Sequence, residues 1–207
     1  MNRTKKSVLR DLVLTVFTLI LFGFAQNSVA AETASPYVVL KDVGGKLFGR
    51  IAALSDIQRK DPSIVRGIVK TELMPFVDTK YASYRMLGKS LKKSSPQQRE
   101  QFVAVMHVDL INTFAAALAN YNKQKVTYEP VRDTGSKQKV TVKAQLSSPD
   151  LDLNFKFRKD KNTDQWRVYD LVVEGISLIS TKRSEISGQI RQHGVAGLIE
   201  KLQHKVS

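Results

Sequence analysis

The sequence predicts an α+β protein: helices first, then a curled antiparallel sheet of about four strands, then helices again. Three observations lead there. Apolar residues recur at helical spacing through roughly residues 35–121, the period switches to two between residues 126 and 173, and Gly194 interrupts a final helical stretch. The 207 residues suffice for one well-cored domain, and no internal repeat or long Pro/Gly/Ser linker divides them.

The first 30 residues read as a leader rather than as part of the fold. Arg3, Lys5, Lys6 and Arg10 precede 13 apolar residues from Leu12 to Phe24, and Ser28–Val29–Ala30 places small residues where a signal peptidase reads. The apolar run is too short to span a bilayer, which needs about 20 residues. Cleavage is therefore expected after Ala30, leaving residues 31–207 as a single domain. The leader carries four basic residues and Asp11, so its loss removes a net +3 from the formal charge of +14. An exported, basic chain meets membrane surfaces, lipid head groups and acidic proteins rather than nucleic acid.

Each helix has a start signal. Ser35–Pro36 opens the first, with Val39, Val43, Leu47, Ile51 and Leu54 on one face. Asp61–Pro62 opens a second, carrying Ile64, Ile68 and Val69, and Pro75 breaks the chain after Leu73–Met74. Asp78 can cap a third helix through Tyr81, Tyr84 and Leu87, ending at Gly88. Ser95–Pro96 with Gln98 fits a capping box ahead of the longest apolar stripe, Phe102 to Tyr121.

Strands follow. Val126 begins a short one, expected over residues 126–131. Val140, Val142, Ala144 and Leu146 alternate with Thr141, Lys143 and Gln145; Leu151, Leu153, Phe155 and Phe157 alternate with polar residues. Ser148–Pro149–Asp150 and residues 159–164 supply the turns, and a strand over residues 166–173 completes a meander. The Lys/Arg face is expected in solvent and the apolar face under helices. The C-terminus returns to helix over about residues 180–192 and 195–206.

Signatures of catalysis are missing. With no cysteine, disulfides, thiolate metal sites and cysteine nucleophiles are excluded. His107, His193 and His204 have no second ligand at metal-binding spacing. Gly175–Ile176–Ser177–Leu178–Ile179 lacks the closing glycine of a nucleophile elbow. Gly88–Lys89–Ser90 lacks the earlier glycine of a phosphate-binding loop, the position holding Ser83. Asp170 and Glu174 are better explained as caps or ion-pair partners than as a glycosidase pair. Neither an enzyme nor a cofactor is expected.

Two blocks carry a family resemblance. One is Trp166, Val168–Tyr169–Asp170, Glu174–Gly175–Ile176–Ser177, Lys182–Arg183, a glycine (Gly194 or Gly197) and Leu198–Ile199; the other is Leu73–Met74–Pro75–Phe76–Val77–Asp78, Leu87–Gly88 and Ser95–Pro96–Gln97–Gln98–Arg99 with Phe102. Together they resemble the MlaC, or toluene-tolerance, family of periplasmic phospholipid-binding proteins, over about Ser35 to Leu202. The resemblance implies an NTF2-like cone, a curved sheet backed by helices around an apolar pocket for lipid tails. It also implies a carrier of glycerophospholipid between an outer-membrane lipoprotein complex and an inner-membrane ABC transporter complex with its substrate-binding hexamer, maintaining outer-membrane asymmetry. Exposing about 30 methylenes to water costs on the order of 25 kcal/mol, so such a carrier must bury both tails.

On that implication the inward apolar residues become pocket candidates: Val43, Leu47, Ile51, Leu73, Phe76, Val77, Tyr81, Met106 and Leu110 from the helices, Val140, Val142, Leu153, Phe155 and Val172 from the sheet, and Ile176. Tyr84, with Tyr81, suits the wet–apolar boundary at the mouth, and Lys182 and Arg183 are candidates for head-group or partner contact. The competing reading is a periplasmic adaptor with a solid core that docks membrane complexes without carrying lipid. With no coiled-coil seam, a monomer is expected.

Overall fold

The computed structural model describes residues 34–147 and 150–206. The expected leader, its cleavage site and the Ser148–Pro149 part of one turn lie outside the described residues. Helix α1 (Pro36–Ala52) starts where Ser35 Oγ accepts from Val38 N and Pro36 takes the first position. The chain then makes α2 (Asp56–Lys60), which the apolar spacing did not reveal because none of its residues is buried; a Ser55/Gln58 capping box defines it instead. Helix α3 (Pro62–Ile68) is capped by Asp61 and runs into a π turn (Val69–Leu73) and a 3₁₀ turn (Met74–Phe76) at Pro75. Helix α4 (Thr79–Leu87) is capped by Asp78, whose carboxylate accepts from Tyr81 N at 2.9 Å. It ends at Gly88, where φ is +55°, and a 3₁₀ segment (Gly88–Lys93) leads to α5 (Pro96–Ala119) with its Ser95/Gln98 capping box.

The sheet is an antiparallel meander in the order β1 (Val126–Tyr128), β2 (Lys139–Leu146), β3 (Leu151–Lys159), β4 (Trp166–Val173), β5 (Ile176–Ser177). Strand β1 is three residues long rather than six. The fifth strand adds to the four expected: Glu174 (φ +49°) and Gly175 (φ +79°) form a two-residue turn that pairs Val173 with Ile176. Between Lys156 and Phe157 the register with β4 shifts, leaving Tyr169 unpaired in the ladder between Val168 and Asp170. Helix α6 (Leu178–Val206) bends at Gly194 (φ +68°), where the sequence separates two helical stretches.

Two apolar clusters form the core. The larger joins the helices, with Phe102, Met106, Leu110, Met86 and Leu198 each 2% exposed or less. The smaller joins α1 to one sheet face through Tyr37, Leu40, Val142, Phe157 and Trp166. Burying a side chain such as Phe102 or Phe157 contributes roughly 1.5–3 kcal/mol.

Candidate functional site

Strand β4 is the meeting line of sheet and helices. Val77, just before α4, makes a parallel bridge to Val168, and Asp78 N donates to the Val168 carbonyl at 2.7 Å. Beyond the bridge, Val77, Met86, Leu110, Phe114, Leu171 and Leu178 help to line an apolar cavity of about 30 Å³ between β4 and helices α4, α5 and α6. That is room for about one water molecule. The interior along this seam is closed, where the sequence-based reading expected a hollow.

Polar ties hold the same seam. Asp170, buried, accepts from Lys156 Nζ (3.0 Å), Ser177 Oγ (2.8 Å) and Ile179 N (3.1 Å). Its carboxylate thus caps the start of α6 and joins that helix to β3, as a structural rather than a catalytic acid. Glu174 accepts from Asp152 N, so the two carboxylates work separately. Arg158 Nε lies 2.7 Å from Asp78 Oδ2, a charge contact without hydrogen-bond alignment.

The structure disperses the residues singled out as pocket lining. Of these, Val77 and Leu110 border the cavity. Leu47, Ile51 and Met106 lie in the helical cluster, with Leu73 packed against it; Val43 is buried on α1, and Phe76 is half-buried. Val140, Val142 and Phe155 belong to the sheet cluster, and Leu153, paired with Ala144, shares their face. Val172 does not: it pairs with Asn154, on the face that also bears Lys143. Ile176 is 67% exposed on the β4–β5 turn. The cavity wall also includes Met86, Phe114, Val168, Leu171 and Leu178, beyond the residues that the sequence points to. Phe114 could have been found from its i, i+4 spacing to Leu110.

The proposed head-group cations at the start of α6 are engaged inside the protein. Lys182 Nζ lies 3.1 Å from Asp109 Oδ2 and 3.3 Å from Glu185. Burial opposes its charge, but the hydrogen bond and charge of Asp109, with Glu185 adding, outweigh it and hold its pKa above the ordinary lysine value. Arg183 donates from Nε and Nη2 to the Arg85 carbonyl. Tyr84 is half-buried, with Lys80 Nζ 6.0 Å from its ring centre. Tyr81 sits differently: its ring meets Tyr169 edge-on at 5.1 Å, Arg158 lies 4.5 Å from its centre, and Lys139 Nζ donates to its hydroxyl at 3.2 Å.

A larger groove, about 630 Å³, lies among α2, α3 and the C-terminal half of α5. Val65 and Ala115 are buried along it, and Lys60 and Arg66 are exposed. Arg59, also lining it, donates to the carbonyls of Tyr121 and Leu54. None of the residues chosen from the sequence lines this groove.

An open five-stranded antiparallel meander whose last long strand packs against three helices along an apolar seam defines an α+β fold. The MlaC protein family model matches residues 41–204, and the chain belongs to that family. It is 30% identical to the intermembrane phospholipid transport system binding protein MlaC of Haemophilus influenzae, over 93% of this chain and 92% of that one. It is 23% identical to a toluene tolerance protein of Pseudomonas putida, over 85% and 81% of the two chains. The fold matches that of a phospholipid-binding protein from Ralstonia solanacearum, solved in complex with a phospholipid. The TM-score is 0.74 at 24% identity, covering 84% of this chain and 97% of that one.

Proposed function

We propose that residues 31–207, released from a leader of residues 1–30, act in the periplasm as a single-domain carrier of a glycerophospholipid. The tails lie between the sheet and the helices, and the carrier passes its cargo between an outer-membrane lipoprotein complex and an inner-membrane ABC transporter complex. The observation that carries this reading is the β4 seam: an apolar cavity walled by the sheet and three helices, lying where the helical core meets the sheet. The names of the relatives, which bind or transport phospholipid, support it.

The seam also sets a requirement. A cavity of about 30 Å³ admits about one methylene, worth ~0.8 kcal/mol, whereas two tails need hundreds of Å³. Loading must therefore part the sheet from the helices along β4. Native mass spectrometry of the protein purified from periplasm without detergent tests the reading. A mass excess equal to an intact phospholipid is the expected result. A bare protein mass that persists after incubation with anionic and zwitterionic liposomes refutes it. The closed interior and the basic groove at α2, α3 and α5 favour the adaptor as the second reading, and that bare mass together with retained binding to the membrane complexes would establish it.

A further inference from the structure

The register places Lys139 opposite Arg158, and Arg158 opposite Arg167, so three cations stand side by side across β2, β3 and β4 on one face. Like charges directly opposite one another destabilise a sheet. The protein offsets only part of this repulsion. Arg158 has Asp78 at 2.7 Å and Asp160 at 3.8 Å. Asp160 is held ionised, below the usual carboxylate range, by the backbone N–H groups of Asn162 and Thr163, with Arg158 and Arg167 adding. Three cations against two carboxylates leave one positive charge in excess. Arg167 Nε is buried and has no hydrogen-bond partner. Lys139 is exposed, and its Nζ reaches the Tyr81 hydroxyl. The Tyr81 ring touches Tyr169, which borders the seam cavity, so two aromatic rings meeting edge-on, Tyr81 and Tyr169, link the basic row to the apolar interior.

We propose that the row Lys139–Arg158–Arg167, bordered by Tyr81, binds a phosphodiester monoanion: the head-group phosphate of the lipid whose tails enter the β4 seam. This assignment rests on the carrier reading. One excess positive charge matches one phosphodiester charge. Lysine and arginine donors form strong charge-assisted hydrogen bonds to phosphate oxygens. Tyr81, already the neighbour of both Lys139 and Arg158, presents an amphipathic ring where the glycerol backbone would cross from wet to apolar surroundings.

The test uses three probes in phosphate-free buffer, followed by calorimetric titration: dihexanoylphosphatidylglycerol, dihexanoylglycerol and inorganic phosphate. The proteins are wild type, Lys139→Gln and Arg167→Gln; Arg158 is left in place because it holds Asp78. Each substitution is expected to weaken binding of the phosphatidyl probe by roughly fivefold to tenfold and to leave the glyceride unchanged. Thermal melts check that each variant is folded. Unchanged affinity for the phosphatidyl probe in both variants, or equal losses for both lipids, overturns the site. Should wild type bind neither lipid, the carrier reading falls and the phosphate arm judges the row. Phosphate binding that both variants weaken would then make it a site for free phosphate and overturn the head-group assignment. No phosphate binding would overturn it as an anion site altogether.

Discussion

Stapling β4 to the helices should abolish lipid loading. The native chain has no cysteine, so Val77→Cys with Val168→Cys introduces one defined pair. These residues form a parallel bridge. Bridged strands lie about 4.8 Å apart, within the Cα separation a disulfide spans. Oxidation closes a loop of about 90 residues and should stabilise the closed form by about 4–5 kcal/mol through the entropy of the unfolded chain. With the bridge locked, the seam keeps its cavity of about 30 Å³, enough for about one methylene and ~0.8 kcal/mol of tail burial. Against the ~25 kcal/mol needed to shelter two tails, loading should fall below detection. The assay is native mass spectrometry of the double variant after exposure to liposomes, oxidised and then reduced with dithiothreitol. The reduced protein should carry lipid and the oxidised protein none. Equal loading in both states would show that tails enter elsewhere and refute the argument from the seam.

Further outcomes are expected. Asp109→Asn should cost about 1–3 kcal/mol in urea denaturation because it leaves Lys182 with Glu185 as its remaining carboxylate partner, while Asp109→Leu with Lys182→Met should lie close to wild type. The folded-state pKa of Lys182 is raised, so its stabilising contribution is complete below the ordinary lysine value of 10.5. It is lost as pH climbs through the higher folded value, so the stability gap between wild type and Lys182→Met should narrow only above about pH 10.5 in thermal melts. Phe157→Ala, at a fully buried position in the sheet cluster, should cost about 3–5 kcal/mol in the same urea series. Gly44→Ala should cost about 1–3 kcal/mol because the new methyl collides with the Tyr128 hydroxyl and forces that side chain off its site against α1.

Helix starts were the most legible part of the fold, because their signals are local. Ser35–Pro36, Asp61–Pro62, Asp78 and Ser95–Pro96 each place a side-chain acceptor and, in three cases, a preset φ where the first turn needs them. Helix α2 escaped because it buries nothing and so leaves no periodic trace. Val172 was misplaced for a definite reason. Strict alternation from Trp166 puts residues 168, 170 and 172 on its face. The bulge at Tyr169 adds one residue, after which Leu171 and Val173 share the face of Trp166, and Asp170 and Val172 lie on the opposite one. A two-residue strand such as β5 is set by the Glu174–Gly175 turn rather than by any pattern of its own. The size of the cavity could not be read at all, since apolar alternation marks which faces come together and says nothing of the gap between them.

Asp109 has a consequence before the protein folds. Helix α5 is long and apolar enough to cross a membrane by length and composition, and its last 18 residues hold a single charged side chain, Asp109. A chain threaded through a translocon carries that segment past a lateral gate open to lipid, where about 20 apolar residues would halt transfer. A carboxylate near the middle of the segment raises the cost of stopping there by about 2.5–3.5 kcal/mol. For a chain exported as proposed above, the group that later receives Lys182 in the folded core also favours passage over retention, and its ion pair then serves as a joint between α5 and α6.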